Sequence, residues 1–192
     1  MNPSAEFFKA ELPPAKIIMR MRMAPYSLGH QILLRATGNA FVDDEAEPQY
    51  ADLVCGVLIC CQPYHRSRLA LESRWLRLFL RYWGWRCGNF DIPQAMIQFR
   101  DYIREGQWHP DVNSTGERGQ VLTSPWEHRL KVWLMERMHM SVGEALDYPL
   151  ASAQLDYIVS GEMNGSIEPF SERNAEMFRL AKSMGEEKET AE

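Results

Sequence analysis

The sequence has no apolar run long enough to cross a bilayer and no recognisable export signal. Its longest apolar run, from Leu53 to Cys61, is far shorter than the roughly 20 residues that a transmembrane helix needs. The amino-terminal residues contain neither the basic region nor the apolar region of a secretion signal. We therefore expect a cytoplasmic protein without a membrane partner.

Motifs for nucleophilic catalysis, phosphate binding and zinc binding are also missing. There is no G-x-S-x-G nucleophile elbow, and the segment from Gly116 to Gln120 lacks the spacing and the lysine of a phosphate-binding loop. No C-x-x-C or H-x₃-H pair occurs. Cys55, Cys60 and Cys61 lie in an apolar run, where a thiol is expected to be buried, reduced and unreactive. The sequence predicts a protein that is not an enzyme and has no cofactor and no metal site.

Lysine is scarce, and cations are absent where DNA binding would need them. The chain has sixteen arginines and five lysines, and its formal net charge is −5. Residues 125–161 have the helix lengths of a helix-turn-helix motif, but no lysine or arginine occurs between Ser141 and Gly165. Because contacts to phosphates dominate affinity for DNA, this composition disfavours nucleic acid as a partner.

Helix caps and helical periodicity are what the sequence has in abundance. Ser27 is the predicted N-cap of a helix over residues 28–36 that stops at Gly38. Asp52 is expected to cap an apolar helix that ends at Cys61, and we predict this helix to be the most buried one. Asp91 is expected to cap a further helix that ends at Gly106.

Two capping boxes mark the carboxyl-terminal half of the chain. Ser124 and Glu127, with Pro125 between them, predict the start of a long helix. Its predicted buried face carries Trp126, Leu130, Trp133, Leu134 and Met138. Ser141 and Glu144 predict a second, short helix. A third helix is expected to follow Pro149 and to end near Gly161 or Gly165.

One short segment departs from this helical pattern. Apolar and basic residues alternate from Met19 to Met23, which favours an extended segment, and we predict a pairing partner near Phe41 and Val42. The fold class is accordingly all-α, an irregular helical domain of six or seven helices with a short extended segment near the amino terminus.

The composition divides the chain into five parts. Residues 1–15 form a proline-rich arm, and residues 16–106 a helical region that contains the buried Cys-rich helix and an Arg/Trp-rich helix. Residues 107–123 are expected to be an exposed loop, residues 124–185 a carboxyl-terminal helical region, and residues 186–192 an acidic tail.

The Arg/Trp-rich helix, predicted from Ser67 to Trp83, is the candidate surface for a protein partner. Its predicted buried face carries Leu69, Leu76, Phe79, Leu80 and Trp83. The residues expected to bind the partner lie beside that face: Arg74, Trp75, Arg77, Arg81 and Tyr82. Trp, Tyr and Arg are the residue types that most often carry interface energy.

Two passages resemble a known family. The segment from Arg137 to Gly165 contains the pattern M-S-x-x-E-A-x-x-x-P, which begins at Met140 and ends at Pro149, followed by E-x-x-G from Glu162 to Gly165. It resembles the carboxyl-terminal part of tail assembly chaperones of long-tailed bacteriophages. The segment from Tyr26 to Val42, with the later LVCGVLICC, resembles the amino-terminal part of similar prophage proteins.

The resemblance implies a helical, non-catalytic factor in the host cytoplasm. Such a factor binds a tape measure protein, whose long amphipathic helices would otherwise aggregate, and keeps it soluble while the tail tube polymerises. The alternative is a DNA- or protein-binding regulator of phage or mobile-element origin.

Overall fold

The computed structural model describes residues 16–43, 46–72, 90–107, 112–114, 124–164 and 167–169, with the backbone alone for 112–114 and 167–169. The chain divides into two compact units. The first consists of residues 1–109 and 122–155, and the second of residues 110–121 and 156–192.

The fold is mostly helical, as the sequence predicts, and the described residues form seven α-helices. These are α1 (Leu28–Ala36), α2 (Tyr50–Cys60), α3 (Tyr64–Glu72), α4 (Ile92–Gly106), α5 (Trp126–Arg137), α6 (Val142–Asp147) and α7 (Leu150–Met163). A 3₁₀ turn covers Ala40–Val42. In this part of the chain, no helix is long and apolar enough to pass through a membrane.

A small hairpin begins the first unit. Strand β1 (Ile17–Ile18) pairs antiparallel with β2 (Met21–Arg22) through a two-residue turn. Met19 and Arg20 in that turn both have positive φ, 50° and 62°, the backbone signs of the type I′ turn that matches strand twist. The predicted partner near Phe41 and Val42 is therefore wrong. Those residues lie in the 3₁₀ turn, and the strand pairs with its immediate neighbour in sequence instead.

Helix α1 begins and ends as predicted. The Ser27 hydroxyl accepts a hydrogen bond from His30 N at 3.3 Å, and Gly38 has a left-handed φ of 65° just after the helix. The segment before α1 also pairs with the start of α7. Leu28 N donates to Tyr148 O at 3.2 Å, and Leu150 N donates to Tyr26 O at 2.8 Å.

The apolar core of the first unit is centred on α2, as predicted. Six of the eleven residues of α2 are buried: Leu53, Val54, Gly56, Val57, Ile59 and Cys60. However, Asp52 is not the N-cap, because the helix begins at Tyr50 and its N-cap is Gln49. Asp52 instead accepts a hydrogen bond from Gln49 N at 2.8 Å from a position inside the first turn.

Helix α4 supplies the largest fully buried side chain among the described residues. Phe99 is fully buried against the core, and the ring of Phe41 packs edge-on to it with centroids 4.9 Å apart. Asp91 caps α4 as predicted, since its carboxylate accepts a hydrogen bond from Gln94 N at 3.1 Å. The opposite end of α4 meets the hairpin through an ion pair of 2.7 Å between Lys16 and Glu105.

The second unit contains one strand pair within the described residues. Strand β3 (Val112–Ser114) pairs antiparallel with β4 (Ile167–Pro169), with Asn113 opposite Glu168. Strand β3 lies within residues 107–123, the segment that was expected from its composition to be an exposed loop.

Candidate functional site

The predicted partner-binding residues lie outside the described residues. Arg74, Trp75, Arg77, Arg81 and Tyr82 all fall between residues 73 and 89. Only the first part of that predicted helix, α3, is described, and it departs from the prediction. Leu69 was expected on the buried face but is 65% exposed, whereas Ser67 is buried. The Ser67 hydroxyl donates to Ile59 O at 2.6 Å, so a backbone carbonyl at the end of α2 sets which side of α3 faces inward.

A buried polar cluster is the most distinctive arrangement of side chains in the first unit. It consists of Tyr26, Gln31, Arg35, Gln107 and Glu127, from four separate stretches of the chain. The Tyr26 hydroxyl donates to Gln31 Oε1 at 2.6 Å, and Gln107 Nε2 donates to the same oxygen at 2.8 Å. Gln31 Nε2 in turn donates to Glu127 Oε1 at 3.4 Å.

Glu127 completes this cluster instead of the predicted capping box. Helix α5 begins at Trp126 with Pro125 as its N-cap, so Ser124 lies outside the helix and Glu127 does not reach back to it. The Glu127 side chain points inward and pairs with Arg35 Nε at 2.9 Å.

One oxygen of this carboxylate has no hydrogen-bond partner among the described residues. Within that part of the chain Glu127 Oε2 is buried and unpaired, while Oε1 accepts from both Arg35 and Gln31. Burial also raises the pKa of the Tyr26 phenol well above its usual range, so this hydroxyl stays a donor. The cluster therefore joins helices through neutral donors and a single ion pair.

His30 has a structural position in the first unit. Its Nδ1 accepts a hydrogen bond from Ser27 N at 3.1 Å, and its Nε2 lies 2.8 Å from Gln62 O. Since Nδ1 accepts, the proton belongs on Nε2, which donates to that carbonyl. Burial lowers the pKa of this imidazole, and both of its nitrogens are occupied by backbone groups.

Cys60 is the thiol that is enclosed most completely. It is fully buried at the end of α2, and burial raises its pKa well above the usual range. The pKa values of Cys55 and Cys61 are raised by burial as well. A thiol in this state is a poor nucleophile. The prediction of a buried cysteine is confirmed for Cys60, whereas Cys55 and Cys61 are only partly buried.

The corner between α5 and α6 exposes apolar side chains. Met138, at the end of α5, was predicted on the buried face but is 43% exposed, and Val142, at the start of α6, is 49% exposed. Between them His139 has a left-handed φ of 54°. The predicted capping box of α6 is confirmed: Ser141 N donates to the Glu144 carboxylate at 2.8 Å, and Glu144 N donates to the Ser141 hydroxyl at 3.4 Å.

The polar side chains of the described residues hold helices together. No group of three or more His, Cys, Asp or Glu side chains among them is placed to hold a metal ion. Asp147, for example, accepts a hydrogen bond from Tyr64 N at 2.7 Å and thereby ties α6 to the start of α3. Within the described residues, the Arg137–Gly165 passage covers the α5–α6 corner, α6 and α7.

Comparison of the chain with protein-family models, with curated proteins and with solved structures found no match.

Sequence reasoning missed the polar cluster for a simple reason. Gln31 and Gln107 are 76 residues apart, and Gln31 and Glu127 are 96 apart. No local spacing links them. The one available signal was Gln31 itself, a polar residue next to Ile32 and Leu33 on a helix whose neighbouring positions are apolar.

Proposed function

We propose that this protein is a non-catalytic tail assembly chaperone that binds apolar helices of a tape-measure-like partner in the host cytoplasm. The observation that carries the proposal is the exposed α5–α6 corner. Met138 and Val142 are both more than two-fifths exposed there. The corner lies in the passage, Arg137 to Gly165, that resembles the chaperone family.

The chemistry of the corner suits such a partner. Methionine is unbranched and polarisable, so it adapts to different apolar surfaces without a fixed shape. An amphipathic helix presents apolar side chains at i, i+3 and i+4, and it is recognised by laying that face against exposed apolar positions. Val132, 46% exposed on α5, adds a further apolar position on the helix that leads to the corner.

The titratable side chains of the first unit support a non-catalytic function. His30 uses both ring nitrogens for backbone hydrogen bonds, and its pKa is lowered by burial. Cys60 is buried with a raised pKa. A general base or nucleophile needs a free atom within reach of a substrate, and neither side chain offers one.

The proposal is tested by changing the corner and measuring binding. The partner is the product of the neighbouring gene that encodes long amphipathic helices, co-expressed and purified with this chain. We expect Val142→Asp and Met138→Gln each to weaken its binding about tenfold or more, which corresponds to about 1.4 kcal/mol. Ile97→Gln is the matched control, because Ile97 is 54% exposed on α4 and lies outside the corner. Unchanged affinity in both corner variants would remove the corner from the proposal.

The alternative regulator has one observation in its favour, the order of α5, α6 and α7. A 12-residue helix, a 6-residue helix and a 14-residue helix follow one another with short connections. Against DNA binding stands the absence of lysine and arginine from Ser141 to Gly165. Gene position separates the two: a neighbouring tape measure gene favours the chaperone, and a neighbouring integrase or repressor gene favours the regulator.

A further inference from the structure

Both ends of the connection between α4 and α5 are hydrogen-bonded to the side chain of Gln31. The chain leaves α4 at Gln107, and the next described helix in the first unit begins at Trp126. Gln107 donates to Gln31 Oε1 at 2.8 Å, and Glu127 accepts from Gln31 Nε2 at 3.4 Å. One amide therefore contacts both ends of a connection that runs over residues 108–125.

Gln31 is well placed to hold both ends. It is 1% exposed, so its hydrogen bonds do not compete with bulk water. Its oxygen accepts and its nitrogen donates, which means that the two ends use different atoms and do not exclude each other. Tyr26 also donates to Gln31 Oε1 at 2.6 Å, and this third bond fixes the direction in which the amide points.

We propose that Gln31 is a two-ended clamp that couples the end of α4 to the start of α5. The two ends of the connection then loosen together, not independently. Residues 110–121 of the connection belong to the second unit. The clamp thus keeps the helices of the first unit in place on both sides of a segment that leaves it.

The ion pair between Arg35 and Glu127 does not account for this coupling. Arg35 is 51% exposed, and a pair of this kind is screened by solvent. This ion pair also involves only the end of the connection at α5. A clamp made by Arg35 alone would leave Gln107 and the end of α4 unaffected, which gives the two arrangements different experimental outcomes.

Hydrogen exchange of the full chain, read at single amides, tests the clamp. The probes are the amide of Gln107, bonded to Ile103 O at 2.8 Å, and the amide of Arg129, bonded to Pro125 O at 3.3 Å. Gln31→Met keeps the length and apolar stem of the side chain. It removes the hydrogen bonds to Gln107 and Glu127 at the two ends, and the one to Tyr26 as well. We expect exchange to accelerate about tenfold at both probes, since a buried hydrogen bond contributes on the order of 1 kcal/mol.

Two further variants make the result specific. Gln107→Ala releases the α4 end alone, so exchange should accelerate at position 107 and not at Arg129. Ser67→Ala removes a buried hydrogen bond to Ile59 elsewhere in the same unit, and should leave both probes unchanged. If Gln31→Met does not fold, Gln31→Asn, which is too short to reach both ends, takes its place with the same expectation.

Three outcomes would overturn the clamp. In the first, the Gln31 variant accelerates exchange at one probe and not at the other. In the second, it accelerates exchange at neither. In the third, Ser67→Ala accelerates both probes as strongly as the Gln31 variant does, which would mean that the probes report general destabilisation.

Discussion

At the scale of single residues, His30 makes the stability of the first unit depend on pH. The imidazole is 1% exposed and is neutral in the fold, because Nδ1 accepts from Ser27 N. Burial lowers its folded-state pKa below the usual value for histidine of about 6.5. The unfolded chain therefore binds the proton more readily, so this contribution to stability is fully present above about pH 6.5 and is lost as the pH falls below it.

The variant His30→Gln separates this proton from the cap. A glutamine at the third helical position can still reach back to Ser27 N, as in a capping box, but it cannot titrate. We expect the variant to be less stable at pH 7.5 by about 1–3 kcal/mol, because Gln62 O loses its buried partner. Its free energy of unfolding should depend less on pH between 7.5 and 5. His128→Gln is the control, since His128 is exposed; a pH slope unchanged in the His30 variant would refute this account.

His139 is a second residue whose backbone has a measurable consequence. It occupies the left-handed region at the end of α5, where a side chain costs roughly 1–2 kcal/mol and glycine costs little. The carbonyl of Leu134 accepts from Met138 N at 3.1 Å and lies 3.5 Å from Met140 N, so the turn is held by the backbone and not by the imidazole.

We therefore expect His139→Gly to stabilise the protein by about 0.5–1 kcal/mol, after the greater entropy of glycine in the unfolded chain is subtracted. Thermal or urea unfolding gives the number. His139→Ala removes the imidazole but keeps the strained φ, so it should bring no comparable gain. Equal stability of the two variants would show that φ at this position is not the cause.

At the scale of helices, the contact between α2 and α4 depends on Gly56. A Cβ atom at this position would lie 2.5 Å from the ring of Phe99, which is itself fully buried. Gly143 in α6 provides the contrast, because a Cβ there would meet nothing within 4 Å.

The same substitution at these two glycines should have opposite effects. Gly56→Ala forces α2 and α4 apart or displaces Phe99, and should cost about 1–3 kcal/mol of stability. Gly143→Ala should stabilise the protein by up to about 1 kcal/mol, because alanine is the better helix former and has room. Urea unfolding of both variants checks the pair; a neutral Gly56→Ala would mean that the two helices are not in close contact there.

The helices also show what the sequence could and could not predict. Ser27, Asp91 and Ser141 cap the predicted helices because a cap depends on residues only three positions apart. Ser124 failed as a cap for a non-local reason. Glu127, its predicted partner, is drawn into the core by Arg35 and Gln31. The partner of the extended segment near the amino terminus was predicted wrongly. Its hairpin turn contains neither glycine nor asparagine, the residues by which a two-residue turn is normally recognised in a sequence.

At the scale of the whole molecule, the helical class was predictable and the candidate site only in part. The apolar run placed a largely buried helix correctly at α2, where six of the eleven residues are buried. Periodicity could not show that Met138 is exposed. An apolar residue can keep the helical spacing at a position where no other part of the core packs against it. For the same reason it could not show that Leu69 faces solvent. The start of α6 at Ser141 was predicted, but the exposure of Met138 and Val142 at the α5–α6 corner came from the structure alone.

A second prediction about partner binding concerns the Arg/Trp-rich helix predicted from Ser67 to Trp83. Trp75 lies outside the described residues, and it stays a predicted interface residue. We expect Trp75→Ala to weaken binding of the tape-measure-like partner by about 2 kcal/mol or more while thermal unfolding is preserved. If Trp75 belongs to the core, truncation would instead cost roughly 3–5 kcal/mol of stability. Unfolding and pull-down on the same variant separate the two.

The central claim, that this chain keeps apolar helices of a partner soluble, is tested most directly by one measurement. The tape-measure-like product of the neighbouring gene is expressed alone, with this chain, and with the Val142→Asp variant, and its soluble fraction is compared. The account predicts that the partner aggregates when alone, remains soluble with the intact chain, and loses most of that gain with the variant. A partner that is equally soluble in all three conditions, or equally aggregated, would contradict it.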